Sequence, residues 1–400
     1  MTVSQNRRNV LLLALCQALG MSCVSFSMTV SSLVGLELAP APHLATLPLG
    51  LHYLASMLAT LPASQLMRRY GRRAGFSFGA SLGVLSGLVC ALAVSRESFP
   101  LFCLGTALLG AFNGHALFYR FAAADVATSL EKSRAISMVL AGGLAAAFMG
   151  PELAKVSRHL FDWHEFLGGY LAISLLTGLS ILVLQFLRIP RPQFEEGTTE
   201  ETEQRPLWQI LKQPKLILAV ACGMVSYGAM NLIMVSTPLA MVGCGHEFES
   251  AASVVQWHIV GMYLPSFFTG RVIRTLGIYP TLGLGALVII GGAIAAWSGD
   301  AFANFMIALV ALGVGWNFLF VGGSVLLTET YRPTEMSKIQ GINDFLISGT
   351  VATTALSSGV LFAAFGWESL IAVVAGPLAA IFLSIIWSGQ SSKRHAPTSS

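Results

Sequence analysis

Charge is what this chain lacks most. Of its 400 residues only 10% are Asp, Glu, Lys or Arg, while 54% are hydrophobic. A soluble domain carries about a quarter charged residues. Together with a mean hydropathy of +0.71, this excludes a water-soluble globule and points to a polytopic membrane protein. Hydrophilic sequence is nearly missing as well. Only 189–214 is long and polar, with Glu195, Glu196, Glu200, Glu201 and Glu203 among prolines, and such a segment cannot bury enough apolar surface to fold alone. There is no Walker loop, no HExxH and no GxSxG, which argues against an ATP-driven pump or a hydrolase; we expect no enzyme activity and no cofactor. The six cysteines, Cys16, Cys23, Cys90, Cys103, Cys222 and Cys244, form no CxxC or Cys/His pattern. They read as small buried helix residues, with no metal site expected. No cleavable signal is expected either, because the apolar run after Arg7 and Arg8 is too long for one. The net charge of +4 is scattered through loops and does not argue for nucleic acid.

What the chain does have is long apolar runs, near 9–35, 44–67, 74–94, 99–121, 135–156, 166–188, 215–242, 251–273, 279–298, 301–327, 343–365 and 368–388. A span with its loop takes roughly 30 residues, so twelve spans suit the length. Segment 189–214 divides them six and six. With the N-terminus inside, all of the 23 Lys and Arg residues except Arg96, Lys155 and Arg158 fall on the cytoplasmic side, which is the expected bias for cytoplasmic loops. Both termini are then cytoplasmic. The halves also repeat: at an offset of 206, His52 falls on His258, Ser64 on Gly270, Arg68 on Arg274, Gly71 on Gly277, Gly79 on Gly285 and Lys132 on Lys338.

The densest charge is in Ser64 to Arg73, Ser-Gln-Leu-Met-Arg-Arg-Tyr-Gly-Arg-Arg, which must be a short turn outside the hydrocarbon. It resembles the loop between the second and third helices of major facilitator superfamily transporters, Gly-x-x-x-Asp-Arg-x-Gly-Arg-Arg. Arg69, Gly71, Arg72 and Arg73 match; Ser64 replaces a glycine and Arg68 replaces the acid. Gly150-Pro151 in the fifth span, after Gly142 and Gly143, is similar to the superfamily's antiporter signature, although Ala154 and Lys155 stand where a glycine pair should follow. The resemblance implies an all-α fold of 12 transmembrane helices in two six-helix bundles related by pseudo-twofold symmetry, 1–188 and 215–400, joined by the cytoplasmic linker 189–214. It implies a solute site near the midplane between halves, lined by helices 1, 4, 7 and 10. A monomer in the bacterial inner membrane, with solute and lipid as partners, is expected.

Polar residues within spans are costly, so each needs a partner, a watery cavity or a function. Solute-contact candidates are Gln17 on the first helix, Asn113, His115 and Tyr119 on the fourth, Tyr227 and Asn231 on the seventh, and Trp316, Asn317 and Phe320 on the tenth. His115 and Tyr119, Tyr227 and Asn231, and Trp316 and Phe320 are each four apart and share a helix face. A helix–helix hydrogen bond is the alternative for Gln17, and packing is the alternative for the residues of the seventh and tenth helices. His52 and His258 lie twelve residues before their loops, ~18 Å along a helix, and histidine can titrate near neutral pH. Either carries a coupling proton or is a structural hydrogen-bonder. Glu152 is a third proton candidate, or is satisfied by Lys155 one turn on. A cytoplasmic gate is read from Arg68, Arg69, Gly71, Arg72 and Arg73 with Asp125, and from Arg271, Arg274 and Gly277 with Glu329; Glu131, Lys132, Arg134, Glu335 and Lys338 join it. Solvated loop charge is the alternative. Asn343-Asp344 reads as an N-cap opening the eleventh helix.

The functional expectation is a secondary transporter working by alternating access, proton-coupled, with uniport as an alternative. The aromatic, low-charge cavity faces suit a planar hydrogen-bonding solute. The stretches Gln256 to Gly270 and Gly315 to Tyr331 are similar to bacterial riboflavin importers of the superfamily, which implies vitamin or aromatic-metabolite uptake. Drug or metabolite export is the rival reading. A non-transporting sensor would need an added soluble domain, which the chain does not show.

Overall fold

The computed structural model describes residues 3–126, 132–161, 164–189, 205–332 and 335–394. Glu131 and positions 190–204 of the expected linker lie outside them, as do the side chains of Lys132 and Arg134. Among the described residues all regular structure is helical. The chain runs α1 Val3–Leu38, α2 Leu47–Tyr70, α3 Arg72–Ser95, α4 Phe99–Ala116, α5 Tyr119–Val126, α6 Lys132–Ser157, α7 Leu167–Gln185, α8 Leu207–Leu211, α9 Pro214–Gly243, α10 Phe248–Tyr263, α11 Ser266–Leu276, α12 Ile278–Trp297, α13 Phe302–Thr328, α14 Met336–Phe365 and α15 Trp367–Arg394. Among the described residues ten helical stretches are long and apolar enough to cross a membrane. One of them, Phe99–Ala123, joins α4 to α5 through a turn at Leu117 and Phe118. The remaining two of the fold's twelve spans are α6 and the pair α10 and α11. That pair is interrupted at Leu264 and Pro265, because proline has no N–H to give and crowds the preceding turn.

The expected N-cap at Asn343 is corrected. α14 begins at Met336, so Asn343 lies two turns inside it, with its Nδ2 donating to Asp344 Oδ1 at 3.1 Å. The apolar stretch marks where a helix enters hydrocarbon, and a helix continues past that point wherever its backbone bonds are unopposed.

Two compact units emerge. One comprises the described residues of Met1–Glu195, Val235–Gln256 and Ala355–Ala363; the other those of Glu196–Met234, Trp257–Thr354 and Ala364–Ser400. In the first, α1 packs on α6, α2 on α4, and α3 on α4 and α7. Small residues set these contacts, since lipid supplies no hydrophobic drive between helices and close backbone approach must replace it. A Cβ at Gly110 would overlap the carbonyl of His52, and one at Gly142 would lie 2.9 Å from Ala14 O. Thr46 ties the stretch 355–363 to the same unit: its Oγ1 donates to Ala355 O at 3.1 Å and accepts from Gly359 N at 2.9 Å. In the second unit α12 packs on α13 and α15, and a Cβ at Gly313 would lie 2.5 Å from His258 O.

The two repeat-related turns have the same backbone. Gly71 stands at φ 91°, ψ 160° between α2 and α3, and Gly277 at φ 91°, ψ 166° between α11 and α12. Both positive φ values are ones that glycine alone takes without cost.

Candidate functional site

The second unit gathers the aromatic candidates. Trp316 and Phe320, one turn apart on α13, stack with centroids 5.1 Å apart and planes at 18°. Tyr227 of α9 sits edge-on to both, 5.0 Å from each, and Tyr263, at the end of α10, lies 6.5 Å from Trp316. The i, i+4 spacing puts Trp316 and Phe320 on one face, and tertiary packing adds Tyr227 to make one cluster of three rings. Asn231, one turn beyond Tyr227, is fully buried. Its Nδ2 donates to Val351 O at 2.9 Å and Thr354 Oγ1 at 3.3 Å, while its Oδ1 has no hydrogen-bond partner among the described residues. Trp316 Nε1 is likewise buried and unpartnered there. Such atoms carry a desolvation cost until a partner arrives.

Asn317 has a different task from its neighbour. Its Nδ2 donates to Met262 O at 2.7 Å and Ser266 Oγ at 2.6 Å, and its Oδ1 accepts from Thr269 Oγ1 at 2.6 Å. The amide is spent on bracing the interrupted α10–α11 pair.

The first unit distributes its candidates differently. His115 packs its Cβ where Gly79 leaves room and donates Nδ1–H to Ala111 O at 2.9 Å. Tyr119 is buried against Phe76, centroids 4.6 Å apart. His115 of α4 and Tyr119 of α5 therefore both pack against α3. Asn113 donates to Ser56 Oγ of α2 at 3.1 Å. Gln17 is half-buried and makes no side-chain hydrogen bond among the described residues.

His52 and His258 are both buried, but their bonding differs. His258 Nδ1 lies 2.7 Å from Leu309 O. A carbonyl only accepts, so Nδ1 carries the proton and the neutral ring keeps its lone pair on Nε2, which has no partner among the described residues. Neither ring nitrogen of His52 has one, and its ring meets Tyr53 edge-on at 5.3 Å. Glu152 forms the i, i+3 pair with Lys155 at 2.7 Å.

At the Gly71 turn, Arg72 donates to Asp125 Oδ2 through Nη2 at 2.8 Å and Nε at 3.2 Å, and Arg73 bonds Gln185 Oε1. Arg69 lies over the Tyr70 ring, 5.4 Å from its centroid, and Arg68 is exposed. At the Gly277 turn Arg271 and Arg274 are exposed, with no ion pair among the described residues, whereas Glu329 bonds Lys215 at 3.2 Å. Glu335 takes neither arginine. It is buried and held by Arg205, through Nη2 at 2.6 Å and Nε at 2.9 Å, and by Arg332 N at 2.9 Å; Arg205 Nη2 also donates to Thr330 O at 3.1 Å. These contacts hold the Glu335 carboxyl down at about 2, the Arg205 guanidinium first among the causes. No spacing in the sequence signals a pair so far apart in the chain.

Sequence reading also missed Arg158. It pairs with Glu165 at 3.0 Å and Glu249 at 3.6 Å, and lies 4.9 Å from the Phe248 ring centroid. A cavity of about 480 Å³ opens beside it, bordered by Glu37, Phe166 and Glu247 as well. Its concentration of carboxylates sets it apart from the aromatic cluster.

Comparison with known proteins places the chain. A family model described as Major Facilitator Superfamily matches residues 10–301. The riboflavin transporter RfnT of Brucella anthropi is 41% identical over 364 residues, 91% of each chain. Among solved structures, a D-xylose–proton symporter superposes with a TM-score of 0.74 at 16% identity, covering 94% of this chain and 96% of that one. A bacterial homologue of the human lysosomal transporter Spinster, in an inward-facing and occupied conformation, superposes with a TM-score of 0.72 at 15% identity, covering 98% of each.

Proposed function

The chain belongs to the major facilitator superfamily, and on that premise we propose that it takes up a flat aromatic metabolite such as riboflavin across a bacterial inner membrane, driven by the proton gradient. The observation that carries this reading is the surface made by Tyr227, Trp316 and Phe320. Among the described residues Trp316 Nε1 is a donor without a partner, and Oδ1 of Asn231, one turn along α9 from Tyr227, is an acceptor without one. An isoalloxazine ring offers a π-face for the first feature and carbonyl and imide N–H groups for the second. A solute that supplies the missing partners recovers a desolvation cost of about 1 to 3 kcal/mol per atom. The similarity to a riboflavin transporter supports the same solute class.

Transport then proceeds by alternating access of two six-helix halves, 1–188 and 215–400. The pairs Arg72–Asp125 and Lys215–Glu329 serve as gate contacts that re-form during the cycle, and His258 Nε2 takes the coupling proton. The protein acts as a monomer. Export is the second reading, favoured by Gly150-Pro151, where Gly150 lets α6 close on Ser25 of α1.

Purified protein in proteoliposomes tests both. Riboflavin should accumulate against its gradient when the proton gradient points inward and only equilibrate without one. Efflux driven by the opposite gradient would replace uptake with export, and no riboflavin flux under any gradient would overturn the solute assignment.

A further inference from the structure

Asn317 is next in sequence to Trp316, yet its side chain does not share the aromatic surface. All three of its side-chain hydrogen bonds among the described residues go to the place where a span is broken. A helix leaves its last four carbonyls without intrahelical partners, and Met262 O belongs to the last turn of α10. Asn317 Nδ2 supplies a donor to it at 2.7 Å and reaches across Leu264 and Pro265 to Ser266 Oγ at 2.6 Å. Because Met262 O can only accept, the amide orientation is settled: Oδ1 must face Thr269, whose Oγ1 is 2.6 Å away. Thr269 Oγ1 also lies 2.8 Å from Pro265 O, and its single proton can serve only one of the two acceptors, so the Asn317 amide competes with the local helix for that proton. One buried side chain of α13 thus fastens both sides of the break. Tyr263, beside Met262, is the ring that faces Trp316 at 6.5 Å. The brace and the aromatic contact are adjacent on both helices.

We propose that Asn317 is a positioning residue for solute recognition: through Met262, Ser266 and Thr269 it sets the angle of the α10–α11 break and so holds the Tyr263 and Trp316 rings at the separation the solute meets. This rests on the reading that the Trp316 surface contacts solute. A pure packing residue would have no reason to act on affinity. A positioning residue acts there first, because the rings it holds are the ones the solute meets.

The test uses the full chain in proteoliposomes with riboflavin as probe. Asn317→Ala should raise KM about tenfold with Vmax held within about twofold, and the double variant with Trp316→Ala should be no worse than Trp316→Ala alone. Thr269→Val removes one arm of the brace and leaves both Nδ2 bonds; it should raise KM less, and it stands in if Asn317→Ala does not fold. A solute-free readout separates this inference from the reading beneath it. In protein labelled with 5-fluorotryptophan, the fluorine resonance lost in Trp316→Phe identifies Trp316, and Asn317→Ala or Thr269→Val should shift or broaden it. If Trp316→Ala raises KM while both brace variants leave KM and that resonance unchanged, the positioning role is overturned and the solute surface stands. If Trp316→Ala leaves KM unchanged, the solute surface falls. A moved resonance then keeps only the mechanical half of the proposal, and an unmoved one ends it.

Discussion

His52 and His258 occupy equivalent places in the repeat, and hydrogen bonding makes them chemically unequal. The Leu309 carbonyl fixes the proton of His258 on Nδ1 and leaves Nε2 as a buried lone pair, where a bound proton would make a charge that is expensive to keep in a dry site. A residue of that kind can couple proton entry to a change of conformation. His258→Ala should therefore abolish gradient-driven riboflavin accumulation while leaving riboflavin exchange between two equal pools, which needs no net proton movement. Accumulation at the wild-type level would remove the role. That these two histidines correspond was legible in the sequence from the constant offset. Their tautomers were not, because Leu309 approaches from another helix. The same limit applies to Trp316 and Asn317: adjacent letters in the sequence, they face an aromatic cluster and a helix break.

Elements obey the sequence most closely where the backbone itself is constrained. Gly71 and Gly277, identical in φ, end and begin helices as the repeat requires, and Pro265 interrupts a span that its apolar run reads as continuous. Helix separation is decided by where small residues meet carbonyls. At Gly110, α4 approaches α2 so closely that a side chain would overlap His52 O. Backbone cannot yield as a flexible side chain can, and overpacking of this sort costs about 1 to 3 kcal/mol. Gly110→Val should lower the thermal unfolding midpoint of the detergent-solubilised protein and reduce its yield. Gly291→Val, with nothing near its Cβ among the described residues, should do neither. Equal midpoints for the two variants would refute the close-approach account.

For the whole molecule, the Arg205–Glu335 contact fastens chain just past the linker to the segment between α13 and α14. A carboxyl held at about 2, against an ordinary value of 4.5, adds stability that is complete above the unfolded value and disappears as pH falls from 4.5 toward 2. Glu335→Gln should therefore unfold at a lower temperature than wild type at pH 6, and the difference should shrink as the pH drops below 4; a difference independent of pH would exclude the ion pair as its source. Composition and the number of long apolar runs were enough to read an all-helical membrane chain with twelve spans, because in hydrocarbon every backbone group must be bonded within its own segment and each span is then a local decision. The partners of individual polar groups were settled only by tertiary structure: Glu335 on Arg205, Glu329 on Lys215, Asn317 on the broken helix, Tyr119 in the core. Side chains from separate helices compete for the few acceptors that a dry interior leaves open, and which helix presents one depends on packing that no stretch of sequence contains.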